Sequence, residues 1–288
     1  LKKAMKMNTT IRRNVTFLPL FLLLAVVAPA QKLYHYAYVE TGGGWQDVRT
    51  KTVLGTSEPA MGLHLALGIV QDRSPRLALQ YGLGLETFSG TQTLDGVIDQ
   101  AAIDREGDAF SYRTRLNDWK EHNSGCFLQV PVSVLYRYPL GENLRLLAQG
   151  GLALSLPIVV HYTVEPGTLA TSGYYEKWNV EFSDYPEEGF RNTDKAFQGK
   201  VGLLPSVSLQ TALGLLFPVA WKQELFVGAY CSYGLYSVGK RLDNPLFDQH
   251  GKYHGTLGSN LQQSVLPVTL GLKASLYFQL DQRRVNSW

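Results

Sequence analysis

The feature that most constrains this chain is a period-two alternation that recurs in segment after segment. Near the C-terminus Leu266, Val268, Leu270, Leu272, Ala274, Leu276, Phe278 and Leu280 alternate with Thr269, Lys273, Ser275, Tyr277 and Gln279. Successive side chains point to opposite faces in a strand, so a period of two over this length predicts one. Upstream, Met61, Leu63, Leu65, Leu67 and Ile69 alternate with Gly62, His64, Ala66 and Gly68. Leu77, Leu79, Tyr81, Leu83 and Leu85 alternate with Gln80, Gly82, Gly84 and Glu86. Leu128, Val130, Val132, Val134, Tyr136 and Tyr138 stand against Gln129, Pro131, Ser133 and Arg137. Leu144, Leu146, Ala148, Leu152, Leu154 and Leu156 stand against Arg145, Gln149, Gly151 and Ser155. Val207, Leu209, Leu213, Leu215 and Phe217 oppose Ser208, Gln210 and Gly214, and a further segment from about Leu225 to Tyr236 carries Leu225, Val227, Ala229 and Cys231 on its apolar face. A first strand over about Leu33 to Val48, its parity blurred by Gly42-Gly43-Gly44, makes eight.

A soluble sandwich also alternates, so two further features decide. One face is crowded with Leu and Val while the other holds Gly, Ser, Gln and scattered charge, the contrast expected of a barrel with lipid outside and a polar interior. The connections also alternate in length. Gln71 to Pro75, Pro139 to Asn143 and Pro218 to Glu224 are tight, whereas Arg49 to Glu58, Thr91 to Ser124, Tyr162 to Pro205 and Val238 to Gln263 are long. The prediction is an all-β, eight-stranded antiparallel up-and-down transmembrane β-barrel, with long extracellular loops and short periplasmic turns. Closure satisfies every backbone donor and acceptor where lipid offers none. Eight strands enclose a lumen that side chains fill.

Composition narrows the alternatives. With 18% charged residues, 28 Gly and 16 Tyr, the chain does not resemble a helical soluble enzyme, and a net charge of +3 does not favour a nucleic-acid partner. Beyond the N-terminus no apolar run reaches the roughly 18 residues of a transmembrane helix. Lys2, Lys3, Lys6, Arg12 and Arg13 precede an apolar stretch from Val15 to Val27, then Ala28-Pro29-Ala30 and Gln31. That layout predicts a cleaved signal peptide over residues 1–30, followed by a barrel domain over 31–288. Cys126 and Cys231 fall on non-neighbouring strands, too far apart for a disulfide.

The polar parity gathers His64, Glu86, Arg137, Arg145 and Lys273 into a lumen, where charges are costly unless paired. An internal ion network is therefore expected. Tyr34, Tyr36, Tyr38, Tyr136, Tyr138, Tyr277 and Phe278 fall near the periplasmic rim and read as an interfacial belt. In the third long connection Tyr174, Tyr175, Trp178, Phe182, Tyr185 and Phe190 are interleaved with carboxylates. They form either an interaction surface or a self-packed loop. His122 with Ser124, and His250 or His254 with Ser259, are the pairs that a hydrolase would need at the outer rim. Asp99, Asp104, Glu106 and Asp108 lack the spacing of a calcium loop, so no metal site is expected, and no cofactor motif is present.

Phe127-Leu128-Gln129-Val130-Pro131-Val132, then Tyr136-Arg137-Tyr138 and Leu146-Leu147-Ala148-Gln149-Gly150-Gly151, resemble the small porin-like outer-membrane β-barrel family of the Bacteroidetes. In that family an L-x-I/V-P strand leads through a short turn to a Gly-rich strand. The resemblance implies a fold and an outer-membrane address more than an activity, and it brings no catalytic motif. Outer-membrane lipid and an extracellular or envelope protein are the partners expected of a structural or surface-interaction protein. A small pore, a secretion-associated barrel, and a lipid-modifying or proteolytic enzyme are the other readings. One departure is the tail from Asp281 to Trp288, which leaves Phe278 and Trp288 as alternative strand-end aromatics.

Overall fold

The computed structural model describes residues 35–52, 54–165, 167–239, 244–248 and 251–280. The signal-peptide segment, Tyr34, His250 and the tail from Asp281 onward lie outside the described residues. The described strands are β1 (His35–Thr52), β2 (Gly55–Asp72), β3 (Leu77–Ile103), β4 (Ala109–Pro139), β5 (Arg145–Val164), β6 (Thr168–Tyr175), β7 (Val180–Phe182), β8 (Asn192–Thr193), β9 (Gln198–Lys200), β10 (Ser206–Ala220), β11 (Gln223–Gly234) and β12 (Gln262–Leu280). Among the described residues no helix is long and apolar enough to cross a membrane, which bears only on helical spans.

Eight of these strands close into a ring, β1-β2-β3-β4-β5-β10-β11-β12, in which every neighbouring pair is antiparallel. The seam is long: β1 and β12 pair from His35↔Leu280 to Thr50↔Val265. The fold is thus an all-β, eight-stranded up-and-down barrel. Most of its Leu and Val positions point outward and are exposed, among them Leu63, Leu65, Leu67, Leu83, Leu213, Leu270 and Leu272. Its Gln, Ser and charged positions point inward and are buried. The parity that glycines blurred in β1 is settled by Tyr36, Tyr38, Glu40 and Gln46, all buried on the lumen side.

The three tight connections match the sequence reading, as does the last long one between β11 and β12, and the other long ones differ from it. β1 runs to Thr52 and β2 starts at Gly55, so the two strands take up most of the first connection. The span from Thr91 to Ser124 is a continuous hairpin rather than a loop, with β3 and β4 paired out to Ile103↔Ala109. It turns at Asp104–Asp108, where Gly107 adopts φ 94°. The third connection carries β6 to β9, and β6 pairs with β4 to extend the sheet beyond the ring. The reason is physical. Outward positions above Leu85 change from Leu to Thr87, Ser89, Thr91 and Thr93, so the apolar signal ends while the backbone ladder continues.

Register shifts fall between Pro59 and His64, between Leu94 and Gly96, and between Cys126 and Phe127. The first and last lie near the level at which the apolar band ends, where bulges re-aim strands, and the Leu94/Gly96 shift falls farther out on the β3–β4 hairpin. The interfacial belt also needs correction. Tyr36, Tyr38 and Tyr277 are 8%, 1% and 2% exposed and fill the lumen, whereas Tyr136 and Tyr138 face outward. Glycine makes room for them: a Cβ on Gly68 or Gly82 would lie 2.8 and 2.6 Å from the Tyr38 ring and hydroxyl.

Candidate functional site

From the turn end upward, the lumen is occupied in layers. At the rim Arg137 Nη1 lies 2.7 Å from Asp72 Oδ1, and Arg145 pairs with Glu224. Above them Tyr36, Val70, Leu135, Leu147, Leu216, Phe226 and Tyr277 belong to one apolar cluster. The next layer centres on Glu40. Lys273 Nζ donates to it at 3.0 Å, Ser275 Oγ at 2.7 Å, and His64 Nε2 lies 3.1 Å away; Lys273 also donates to Gln149 at 2.7 Å. Higher again, Glu86 accepts from Gln46 Nε2 at 3.1 Å, Thr269 Oγ1 at 3.0 Å and Gln129 Nε2. A buried ion is tolerated where its lone pairs are met in this way.

The residues predicted to share one network therefore fall into three groups. His64 and Lys273 meet at Glu40, Glu86 has its own neutral donors, and Arg137 and Arg145 pair at the rim. Glu40, Asp72 and Glu224 were not singled out in the sequence. Glu40 shares the parity of Gln46, but the triple glycine hid the register that reveals it.

The mouth is covered from above. A large apolar cluster joins Phe88 and Phe127 of the barrel to Trp119, Val160 and Tyr162 of the extended strands, and to Leu246, Phe247, Tyr253, Leu257 and Leu261 of the last connection. At its heart Glu121 is wholly buried. It accepts the Thr256 backbone N–H, at 2.8 Å on one oxygen and 3.0 Å on the other, together with the Thr256 and Tyr253 hydroxyls and Asn123 Nδ2 at 2.8 Å. Trp119 Nε1 donates to Tyr253 Oη at 3.1 Å. Burial and the Glu121 charge push the Tyr253 hydroxyl well above its ordinary value. This carboxylate pins Tyr253 and Thr256 of the last connection over the barrel.

Beyond the mouth the long strands form a blade, the sheet β3-β4-β6-β7. The aromatic residues predicted as a surface are divided by it. Tyr175 and Phe190 are buried with Phe110 and Tyr112 as the blade's own core. Trp178, Phe182 and Tyr185 are 49%, 47% and 50% exposed, and Trp178 stacks on Tyr175 at 5.2 Å between centroids. Tyr174 lies on the opposite face under the Arg113 guanidinium, 4.1 Å from its ring centroid. There Glu181 pairs with Arg113 and Arg115, and the Ser172 hydroxyl, followed by these guanidiniums, holds its carboxyl below its usual range. Asp104 Oδ1 accepts the N–H groups of Glu106 and Asp108, and Asp99 pairs with Arg113. These acids serve the turn and the sheet. His122 lies against Thr91 at 3.2 Å, His254 against Asp248 at 3.4 Å, and Ser259 donates to the Thr256 carbonyl at 3.0 Å. Neither described His is bonded to its expected serine. Cys126 and Cys231 are free thiols.

No family model and no curated protein matches this sequence. Among solved structures the chain is similar to Neisserial surface protein A, at TM-score 0.35 and 10% identity over 85% of this chain and 97% of that one. It is also similar to Ail, the attachment invasion locus protein of Yersinia pestis, solved with the heparin analogue sucrose octasulfate. There the TM-score is 0.29 and the identity 8%, over 85% and 99% of the two chains. The translocator domain of the autotransporter NalP from Neisseria meningitidis follows at TM-score 0.24 and 13% identity, over 90% and 92%. Likenesses this distant carry no functional inference.

Proposed function

We propose that this chain is an integral outer-membrane protein without enzymatic activity, whose filled barrel holds an extracellular blade as a surface for binding another protein. The observation that carries this reading is the exposed aromatic edge, Trp178, Phe182 and Tyr185, set on a buried aromatic base at the end of strands continuous with the barrel wall. Aromatics held rigidly bury much area at small entropic cost. Membrane residence is supported by the Leu- and Val-lined exterior, which would be a very large unpartnered apolar surface in water. The stacked layers below Glu121 favour a plugged lumen over a conducting one. On this reading residues 1–30 direct export and are removed, residues 31–288 form the barrel domain, and the porin-like family of the Bacteroidetes is its home.

Two measurements test the proposal. In planar bilayers the folded protein should give no reproducible conductance steps; steps would overturn the plugged lumen. A photo-crosslinking residue at Phe182 in intact cells should yield a discrete protein adduct that is lost when Trp178 is replaced by Ser. Adducts to lipid alone, or none, would overturn the interaction surface.

A further inference from the structure

Between the Glu86 layer and the capped mouth lies a cavity of about 20 Å³, large enough for one water-sized body. Its wall is formed by Gln46, Glu86, Thr269 and four serines, with Phe88 and Phe127 among its apolar neighbours. Three facts give it a charge preference. First, the donors to Glu86, from Gln46, Gln129 and Thr269, are all neutral, and no ion pair to it is present among the described residues. Secondly, Arg137, Arg145 and Lys273 stand in the lumen against Asp72, Glu224, Glu40 and Glu86. The first three acids take the three cations, and no Lys or Arg is left for Glu86. His64 sits opposite Glu86 in the strand register, but its Nε2 is directed to Glu40. Thirdly, Gln46 is 3% exposed and its Oε1 has no hydrogen-bond partner.

We propose that this cavity binds one monovalent alkali cation, held by the Glu86 carboxylate and neutral oxygens from among Gln46, Thr269 and the four serines of its lining, Ser155, Ser206, Ser208 and Ser232. Oxygen donors suit hard cations, and a single carboxylate matches a single positive charge. An unbalanced buried carboxylate is costly, and an enclosed cation removes that cost where no Lys or Arg reaches. The site requires only the barrel lumen and is independent of what the blade binds.

The test uses the full mature chain folded in detergent, with unfolding followed by heat-modifiable gel mobility. NaCl or KCl is exchanged against choline chloride at constant ionic strength. The midpoint should rise by roughly 3–5 °C for each tenfold excess of alkali cation over its dissociation constant. That dependence should vanish in Glu86→Gln. A midpoint indifferent to the cation overturns the proposal. An equal dependence in Glu86→Gln also overturns it, because the ions then act elsewhere. If Glu86→Gln does not fold, the double replacement of Ser208 and Ser232 by Ala decides. A weakened cation dependence supports the site, and an unchanged one overturns it.

Discussion

Replacing Leu272 by Arg separates a lipid-facing exterior from a water-facing one. Leu272 is 68% exposed and sits mid-way along the outward apolar row from Leu266 to Leu280. Its lateral partners are Gly43 on β1 and Ala229 on β11, so no bulky neighbour shelters a new side chain. In water an exposed substitution of this kind changes stability by about 0.5 kcal/mol or less. At a bilayer midplane an Arg on the lipid face of a barrel costs about 2–4 kcal/mol, or roughly 30- to 700-fold in the folding equilibrium. Snorkelling gives little relief because both rims are distant from the middle of the strand. The control is Thr163→Arg, an exposed position on β5 above the apolar band, paired with His122 on β4 and Gln198 on β9. It should cost about 0.5 kcal/mol or less. Denaturant titration of folding into phospholipid vesicles measures both. Equal costs at the two positions, or a variant that stays monomeric in water without detergent, would refute the placement of this face in hydrocarbon.

Glu121→Ala should loosen the cap while leaving the barrel closed. It strands the Thr256 and Tyr253 donors inside an apolar cluster, at about 1–3 kcal/mol for each left unsatisfied. Protease cleavage within residues 244–261 should therefore rise by on the order of ten- to a hundredfold with heat-modifiable mobility retained; unchanged protection would contradict the latch. The blade should also loosen in alkali. Burial, with the Asp104 carboxylate beside it, pushes the Tyr175 hydroxyl from 10.0 up to about 12. Between those values the unfolded chain has lost the proton that the folded blade retains, so this contribution is full below the lower value and fades as pH rises towards the upper one. Hydrogen exchange across 104–115 and 168–182 should accelerate in that window in the wild type and less in Tyr175→Phe.

What was legible in the sequence was the outward apolar row. It is continuous along β12, so the wall of that strand can be read directly from Leu266 to Leu280. Above the band that row ends. Thr87 to Thr93 are as extended as the Leu residues before them, yet their outward side chains meet water and lose the contrast that marks a strand. Hence a 27-residue β3 reads as a short strand followed by a loop. Tyr277 shows a second way to misread. It shares the parity of Lys273 and Ser275, which places it inside, but aromatic residues near a rim invite an interfacial reading. The Glu121 latch had no sequence signal at all, because it depends on contacts spanning 135 residues.

The same division explains why the blade rather than the barrel is the place to look for specificity. On the proposed reading the barrel's outer face is fixed by lipid and its inner face by the neutralisation of buried charge, so both would be constrained by the membrane itself. From Leu85 to Ile103 strand β3 continues for 18 residues, a contour of roughly 60 Å. Over that length the same ladder that closes the barrel carries a second aromatic core. A loop of equal length would have to order itself on binding, whereas a partner meeting Trp178 and Phe182 encounters backbone already fixed by pairing to β6 and by Tyr175 beneath it. The entropic cost of association is reduced accordingly. Cutting the blade at the Asp104–Asp108 turn without removing it should therefore weaken partner capture through lost rigidity, even though every exposed aromatic side chain remains.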